Sequence, residues 1–148
     1  MRLWSSTILP YLPQSQLIAQ KRECDLIWKD IANGKKTNHV LINYIWDYKD
    51  YETQLSYYYT LLEREFRNRG FNFRCHERAT YCIDIDVPKP FKKHHTKQYL
   101  LQNFMNLDEK FERNQKDFDR TTYLNLWNFV NDELNGLLEE IGKQTKEK

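Results

Sequence analysis

The chain has 148 residues, a length that suits one domain with a core of its own, and 40% hydrophobic with 15% aromatic content excludes general disorder. Four glycines and four prolines supply few obligatory turns, which favours helices over a sandwich or barrel. The net charge of +2 is too small to announce nucleic acid by itself, and no apolar run approaches the length of a membrane span. In chain order, Pro13 suits the first turn of a helix whose apolar stripe is Leu17, Cys24, Ile27, Trp28 and Ile31, with Asn33-Gly34 as its stop. Arg22 and Glu23 flank that stripe. The segment His39 to Trp46 leans toward β structure or a buried connector.

A second helix is predicted over Tyr51–Arg69, with Tyr51, Leu55, Tyr58, Tyr59, Leu62 and Phe66 on one face and Gly70 just past its end. Alternation from Tyr81 to Val87 predicts one short edge strand within an otherwise irregular stretch. A third helix is predicted over Lys97–Lys116, with Leu100, Leu101, Phe104, Leu107 and Phe111 inward. The fourth runs over Thr121–Ile141 through Leu124, Trp127, Val130, Leu134, Leu137, Leu138 and Ile141, leaving 142–148 to fray. The expectation is an all-α, compact bundle of about four helices forming a single domain over 1–148.

Charge is unevenly placed. Between Arg64 and Lys97 nine lysines and arginines stand against four acids, whereas Asp132, Glu133, Glu139 and Glu140 make the last helix acidic. That pattern fits either one cationic face on a near-neutral protein or two ordinary solvated surfaces. Cys24, Cys75 and Cys82 are an odd count without framework spacing, and Pro10 and Pro13 come too early for a secretory segment. The expected setting is therefore reduced and cytoplasmic.

Three blocks carry a family resemblance. The first is the Arg-hydrophobic start at Arg2, followed by Gln16-Leu17-Ile18-Ala19-Gln20-Lys21-Arg22-Glu23 and by Ala32-Asn33-Gly34-Lys35. The others are Arg67-Asn68-Arg69-Gly70-Phe71-Asn72 and Leu107-Asp108-Glu109-Lys110. Together they resemble the pyrimidine-dimer DNA glycosylases typified by the phage endonuclease V, and most closely its bacterial relatives that begin Met-Arg-Leu-Trp. The resemblance implies an all-α fold whose N-terminal segment threads between helices and sets an α-amine beside Glu23. It implies a DNA repair glycosylase with abasic-site lyase activity on double-stranded damaged DNA. The amine attacks the sugar C1′, the base departs, and β-elimination follows from the imine. An α-amine ordinarily titrates at about 7.7–8.0 and a lysine near 10.4, so the former suits a nucleophile at neutral pH.

Two departures shift the assignments. The phage-type enzymes expose a threonine after loss of the initiator, whereas here the bulky Arg2 follows Met1, which makes Met1 the candidate nucleophile. Gln16 stands where the family has a histidine, and Asp25 and Leu26 where it has a further arginine. Met1 and Glu23 are thus the candidate catalytic groups. Arg2, Arg22, Lys35, Lys36, Lys89, Lys92, Lys93 and Lys110 are the candidate DNA contacts, and His39 a candidate auxiliary acid-base group. No cofactor, metal or membrane is expected, and the protein is expected to act as a monomer.

Other clusters read more plainly. Val87 to Lys97 holds four lysines, two histidines and no acid, which suits a phosphate-tracking loop or a Pro-stiffened linker equally. His94-His95 and Cys75-His76 with Cys82 lack a full metal-ligand set. Two readings from other classes stay open: a nucleic-acid-binding module without chemistry, and a helical domain that binds another protein.

Overall fold

The computed structural model describes residues 1–79 and 86–146, so the strand expected over Tyr81–Val87 falls largely outside the described residues, as does Cys82. Five α-helices follow one another: α1 (Gln14–Ala32), α2 (Tyr51–Asn68), α3 (Lys97–Glu112), α4 (Arg120–Glu133) and α5 (Leu137–Lys146). Two 3-10 turns, Ser6–Tyr11 and Asn43–Asp47, complete the regular structure, and the described residues contain no strand. The all-α expectation holds, with one helix more than the pattern predicted.

Each boundary has a local cause. Pro13 precedes α1 in extended backbone, where its missing amide costs nothing. The helix closes as Lys35 N–H donates to Asp30 O (2.8 Å) around Gly34 at φ +71°. Phe71 N–H returns to Phe66 O (2.8 Å) past Gly70 at the end of α2 in the same way. Thr96 caps α3 by accepting from Tyr99 N–H, and Asp119 caps α4 by accepting from Thr122 N–H (2.8 Å). The fourth predicted helix is broken in two because Asn135 (φ 56°) and Gly136 (φ 84°) both take left-handed backbone between α4 and α5. The third ends at Glu112 rather than Lys116, before the left-handed Asn114 and Asp117. The segment expected to fray from Gly142 continues as helix to Lys146. The β-leaning connector forms the second 3-10 turn, with Ile42 and Ile45 buried.

One continuous apolar core joins these elements, from Leu3 and Trp4 through Trp28 and Tyr58 to Leu107 and Val130. The helix pairs α1–α2, α3–α4 and α4–α5 pack directly, and the first 3-10 turn lies on α2 and α4. Arg69 pins that turn to the end of α2. Its Nε donates to Glu65 (2.7 Å) while Nη2 donates to the carbonyls of Leu9, Pro10 and Leu12 at 3.3, 3.2 and 2.8 Å. The chain before Ser6 is thereby aimed between α1, α2 and α3.

Candidate active site

A free terminus normally frays, because ordering each backbone residue costs about 1–2 kcal/mol. Here Leu3 and Trp4 are buried, each worth roughly 1.5–3 kcal/mol of apolar burial, and every helix around them supplies a hydrogen bond. Ser5 N–H donates to Asn103 Oδ1 on α3 (2.7 Å), and Tyr99 of the same helix donates to Leu3 O. Tyr58 on α2 donates to Trp4 O (2.6 Å). The threading implied by the resemblance is present.

Gln20 on α1 completes the clamp. It is 1% exposed, and its amide uses every hydrogen-bonding position it has. Oε1 accepts from Trp4 N–H (2.6 Å) and, at 2.8 Å, shares the single Tyr58 OH proton with Trp4 O, while Nε2 donates to Arg2 O (2.8 Å) and to Glu23 Oε2 (3.0 Å). The same Glu23 oxygen accepts from Arg2 N–H at 3.1 Å. The carboxylate is therefore fixed at the peptide unit that follows Met1. Gln20 and Glu23 meet because three residues on a helix share a face.

This end of the segment opens into a cleft of about 280 Å³. Two stripes with the same helical spacing flank it: Gln16, Ala19, Gln20 and Glu23 on α1, and Asn106, Glu109, Lys110 and Arg113 on α3. Met1, Arg2, Trp4 and Leu41 complete the lining. Arg113 is paired with Glu109 at 2.5 Å, whereas Lys110 and the Arg2 guanidinium make no ion pair among the described residues. The Arg2 guanidinium stands 5.1 Å over the Trp4 ring, which orients it without neutralising it. The cleft thus joins an ordered carboxylate to cations that remain available to an anion.

Four of the sequence-predicted residues converge here: Met1, Arg2, Glu23 and Lys110. The remainder lie elsewhere. Arg22 is exposed on α1 outside the cleft, and Lys35 and Lys36 are exposed beyond its end, Lys36 Nζ 5.5 Å over the Tyr51 ring. Lys89, Lys92 and Lys93 line a separate hollow of about 760 Å³ with Tyr48 and His94. His39 spends its ring locally, Nδ1 accepting from Leu41 N–H (3.2 Å), and it is Leu41 that reaches the cleft. Asp25 is bound by Lys21 (2.6 Å) and Tyr59 OH (2.7 Å) and belongs to the scaffold. Gln20, Tyr58, Tyr99 and Arg113 were missed by sequence reasoning; the polar i, i+3, i+4, i+7 stripes are the signal that could have found the helix-borne ones.

Behind the segment lies an aromatic cluster. Burial holds the Tyr58 and Tyr99 hydroxyls above their ordinary range, so both remain donors to the threaded backbone. His95 stacks on Tyr99 (4.7 Å, 16°), shares a 2.6 Å hydrogen bond with Tyr44, and leaves its buried Nδ1 unpartnered. Burial first, then the Lys89 and His94 charges, push its pKa down to about 3. His94 turns the other way, to Tyr48 OH (2.8 Å), so the adjacent histidines serve two different tyrosines. Among the described residues no group of three His, Cys, Asp or Glu is arranged to hold a metal, and no helix is long and apolar enough to cross a membrane.

Compared with known families, the model described as pyrimidine dimer DNA glycosylase matches residues 1–78, the span that holds the threaded segment, α1 with Gln20 and Glu23, and α2. No curated protein and no solved structure matches the chain.

Proposed function

The chain belongs to the pyrimidine dimer DNA glycosylase family, and on that premise we propose that it excises a damaged base, of the pyrimidine-dimer type, and cleaves the resulting abasic site through an imine on the Met1 α-amine. The observation that carries this reading is the Glu23 carboxylate, fixed by Arg2 N–H and Gln20 Nε2 one peptide unit from that amine.

The amine nitrogen bonds to the sugar C1′ as the C1′–N bond to the base breaks, the electron pair leaving with the base, which takes up a proton. Transfer of the amine's proton to O4′, which leaves C1′ with the bonding pair, opens the ring and gives a protonated imine and a free 4′ hydroxyl. Removal of a C2′ proton then expels the 3′ phosphate by β-elimination. Positive charge develops at C1′ and persists on the imine, and an ordered carboxylate beside it stabilises both while relaying protons. Arg2 and Lys110, without carboxylate partners, take the flanking phosphates. Reaching C1′ requires opening the duplex, which costs least at a lesion and so contributes to selectivity.

The test is incubation of untagged protein with abasic duplex in the presence of borohydride, which fixes an imine as a covalent adduct. Wild type is expected to form the adduct and Glu23→Gln to lose at least tenfold in its rate. Salt-sensitive binding without adduct would instead favour the binding module, and absence of DNA binding at low salt the protein-interaction domain.

A further inference from the structure

Most exposed apolar side chains on a soluble protein are scattered and need no explanation. Here they gather. Among the described residues Val40 is 84% exposed, Leu41 42% and Met105 43%. Leu41 is the wall between the cleft and an adjoining, mostly apolar hollow of about 390 Å³ that also holds Arg2, Tyr99, Leu101 and Met105. Val40 precedes it and stands out to solvent.

The turn that presents them is braced. Ile42 and Asn43 N–H groups both donate to His39 O (2.9 Å each), Asn43 Oδ1 accepts from His39 N–H (2.8 Å), and His39 Nδ1 accepts from Leu41 N–H. Asn43 Nδ2 reaches back to Asn38 Oδ1 (3.0 Å), and Trp46 Nε1 donates to Thr37 O (2.9 Å). Immediately behind, Ile42 and Ile45 are fully buried. A stiff, anchored turn with two aliphatic side chains at its tip has the form of a wedge.

We propose that Val40 and Leu41 enter the base stack beside the nucleotide taken into the cleft, holding the duplex open while C1′ is attacked. This rests on the DNA reading above and adds to it the residues that open the helix. Charge selects nucleic acid as the occupant: Arg2 and Lys110, neither in an ion pair among the described residues, line the cleft that Leu41 walls, and Lys35 and Lys36 lie just upstream of the tip on the chain. An aliphatic wedge between base steps unstacks them, a cost offset by contacts that the bent duplex then makes. His39 acquires a role from the geometry, as the positioning residue that fixes the angle of the tip through its backbone and ring.

The experiment places 2-aminopurine next to a tetrahydrofuran abasic analogue in a duplex, which reports unstacking without requiring any bond to break. Wild type is expected to raise its fluorescence several-fold on binding. Val40→Ser is expected to lose most of that rise and to slow adduct formation on abasic duplex about tenfold or more, while adduct formation on a single-stranded abasic oligonucleotide stays unchanged. Leu41→Ser, read by fluorescence alone, is expected to lose the rise as well. A rise undiminished in both variants overturns the wedge, as does an equal loss of Val40→Ser activity on duplex and single strand. Wild-type binding without any fluorescence rise overturns the wedge and leaves the DNA reading standing; no binding to the duplex overturns both.

Discussion

Replacing Gln20 by leucine preserves helix propensity and approximate volume but removes all four hydrogen bonds of its amide. Tyr58 OH keeps Trp4 O as a partner, and Arg2 O, partly exposed, can turn to water. Trp4 N–H is buried and cannot, which costs about 1–3 kcal/mol. Loss of the bonds to Arg2 O and Glu23 adds roughly 0.5–1.5 kcal/mol each, and the apolar replacement recovers about 1 kcal/mol. The expected destabilisation is about 3 kcal/mol, a Tm shift of roughly 6–12 °C for a chain of this length. Urea unfolding followed by tryptophan fluorescence measures it. Gln20→Glu sharpens the case: it keeps the acceptor and sets an oxygen where Nε2 stood, 3.0 Å from Glu23 Oε2 and 2.8 Å from Arg2 O. Only its protonated form can bond either, so that variant should lose stability as pH rises through the carboxylate range. A leucine variant destabilised by less than about 1 kcal/mol, or a glutamate variant indifferent to pH, would refute the clamp.

The remaining predictions address charge and pH. Lys110→Ala should weaken duplex binding across sequences and reduce the log–log salt slope by about 0.9, the value for one phosphate contact; fluorescence anisotropy at several salt concentrations reads it, and an unchanged slope removes Lys110 from the interface. His95 is held neutral when folded, with its pKa at about 3 against 6.5 for the free side chain. The unfolded chain therefore binds the extra proton between these values, so this contribution is fully present above pH 6.5 and lost as pH falls toward 3, by up to about 1.4 kcal/mol per pH unit. In urea titrations His95→Gln should flatten that slope, and parallel curves for the two proteins would contradict the assignment. Asp119 is held below its usual range by Thr122 N–H at the start of α4. Its capping contribution is present above the free carboxylate pKa and lost as pH falls through the depressed one. The stability gap between wild type and Asp119→Ala should accordingly close in acid, and a gap constant with pH would mean that the charge plays no part.

What the chain makes legible follows from what is local. The stripe Leu17, Cys24, Ile27, Trp28, Ile31 is a one-dimensional pattern, and Gly34 and Gly70 mark their helix ends by the left-handed backbone they adopt. The break at Asn135-Gly136 escaped because the apolar spacing resumes at Leu138 and hides the interruption. Glu23 and Met1 came through family resemblance; nothing in their own spacing ties them together. Gln20 could not be read because its partners lie at positions 2, 4, 23 and 58 and meet only once the terminus is threaded. Likewise Lys89, Lys92 and Lys93 form the densest basic run, yet the fold sets them on a different hollow from Lys110. Charge density along a chain does not say which face it reaches.

The central claim is that the Met1 α-amine, beside the clamped Glu23, forms the bond to C1′. Its most direct test is peptide mapping by mass spectrometry of the borohydride-fixed adduct with abasic duplex, using protein whose N-terminus has first been established by intact mass. The deoxyribose remnant is expected on the Met1 nitrogen, with no adduct after selective N-terminal acetylation. An adduct on Lys110 or any other lysine, or one that survives acetylation undiminished, would contradict it.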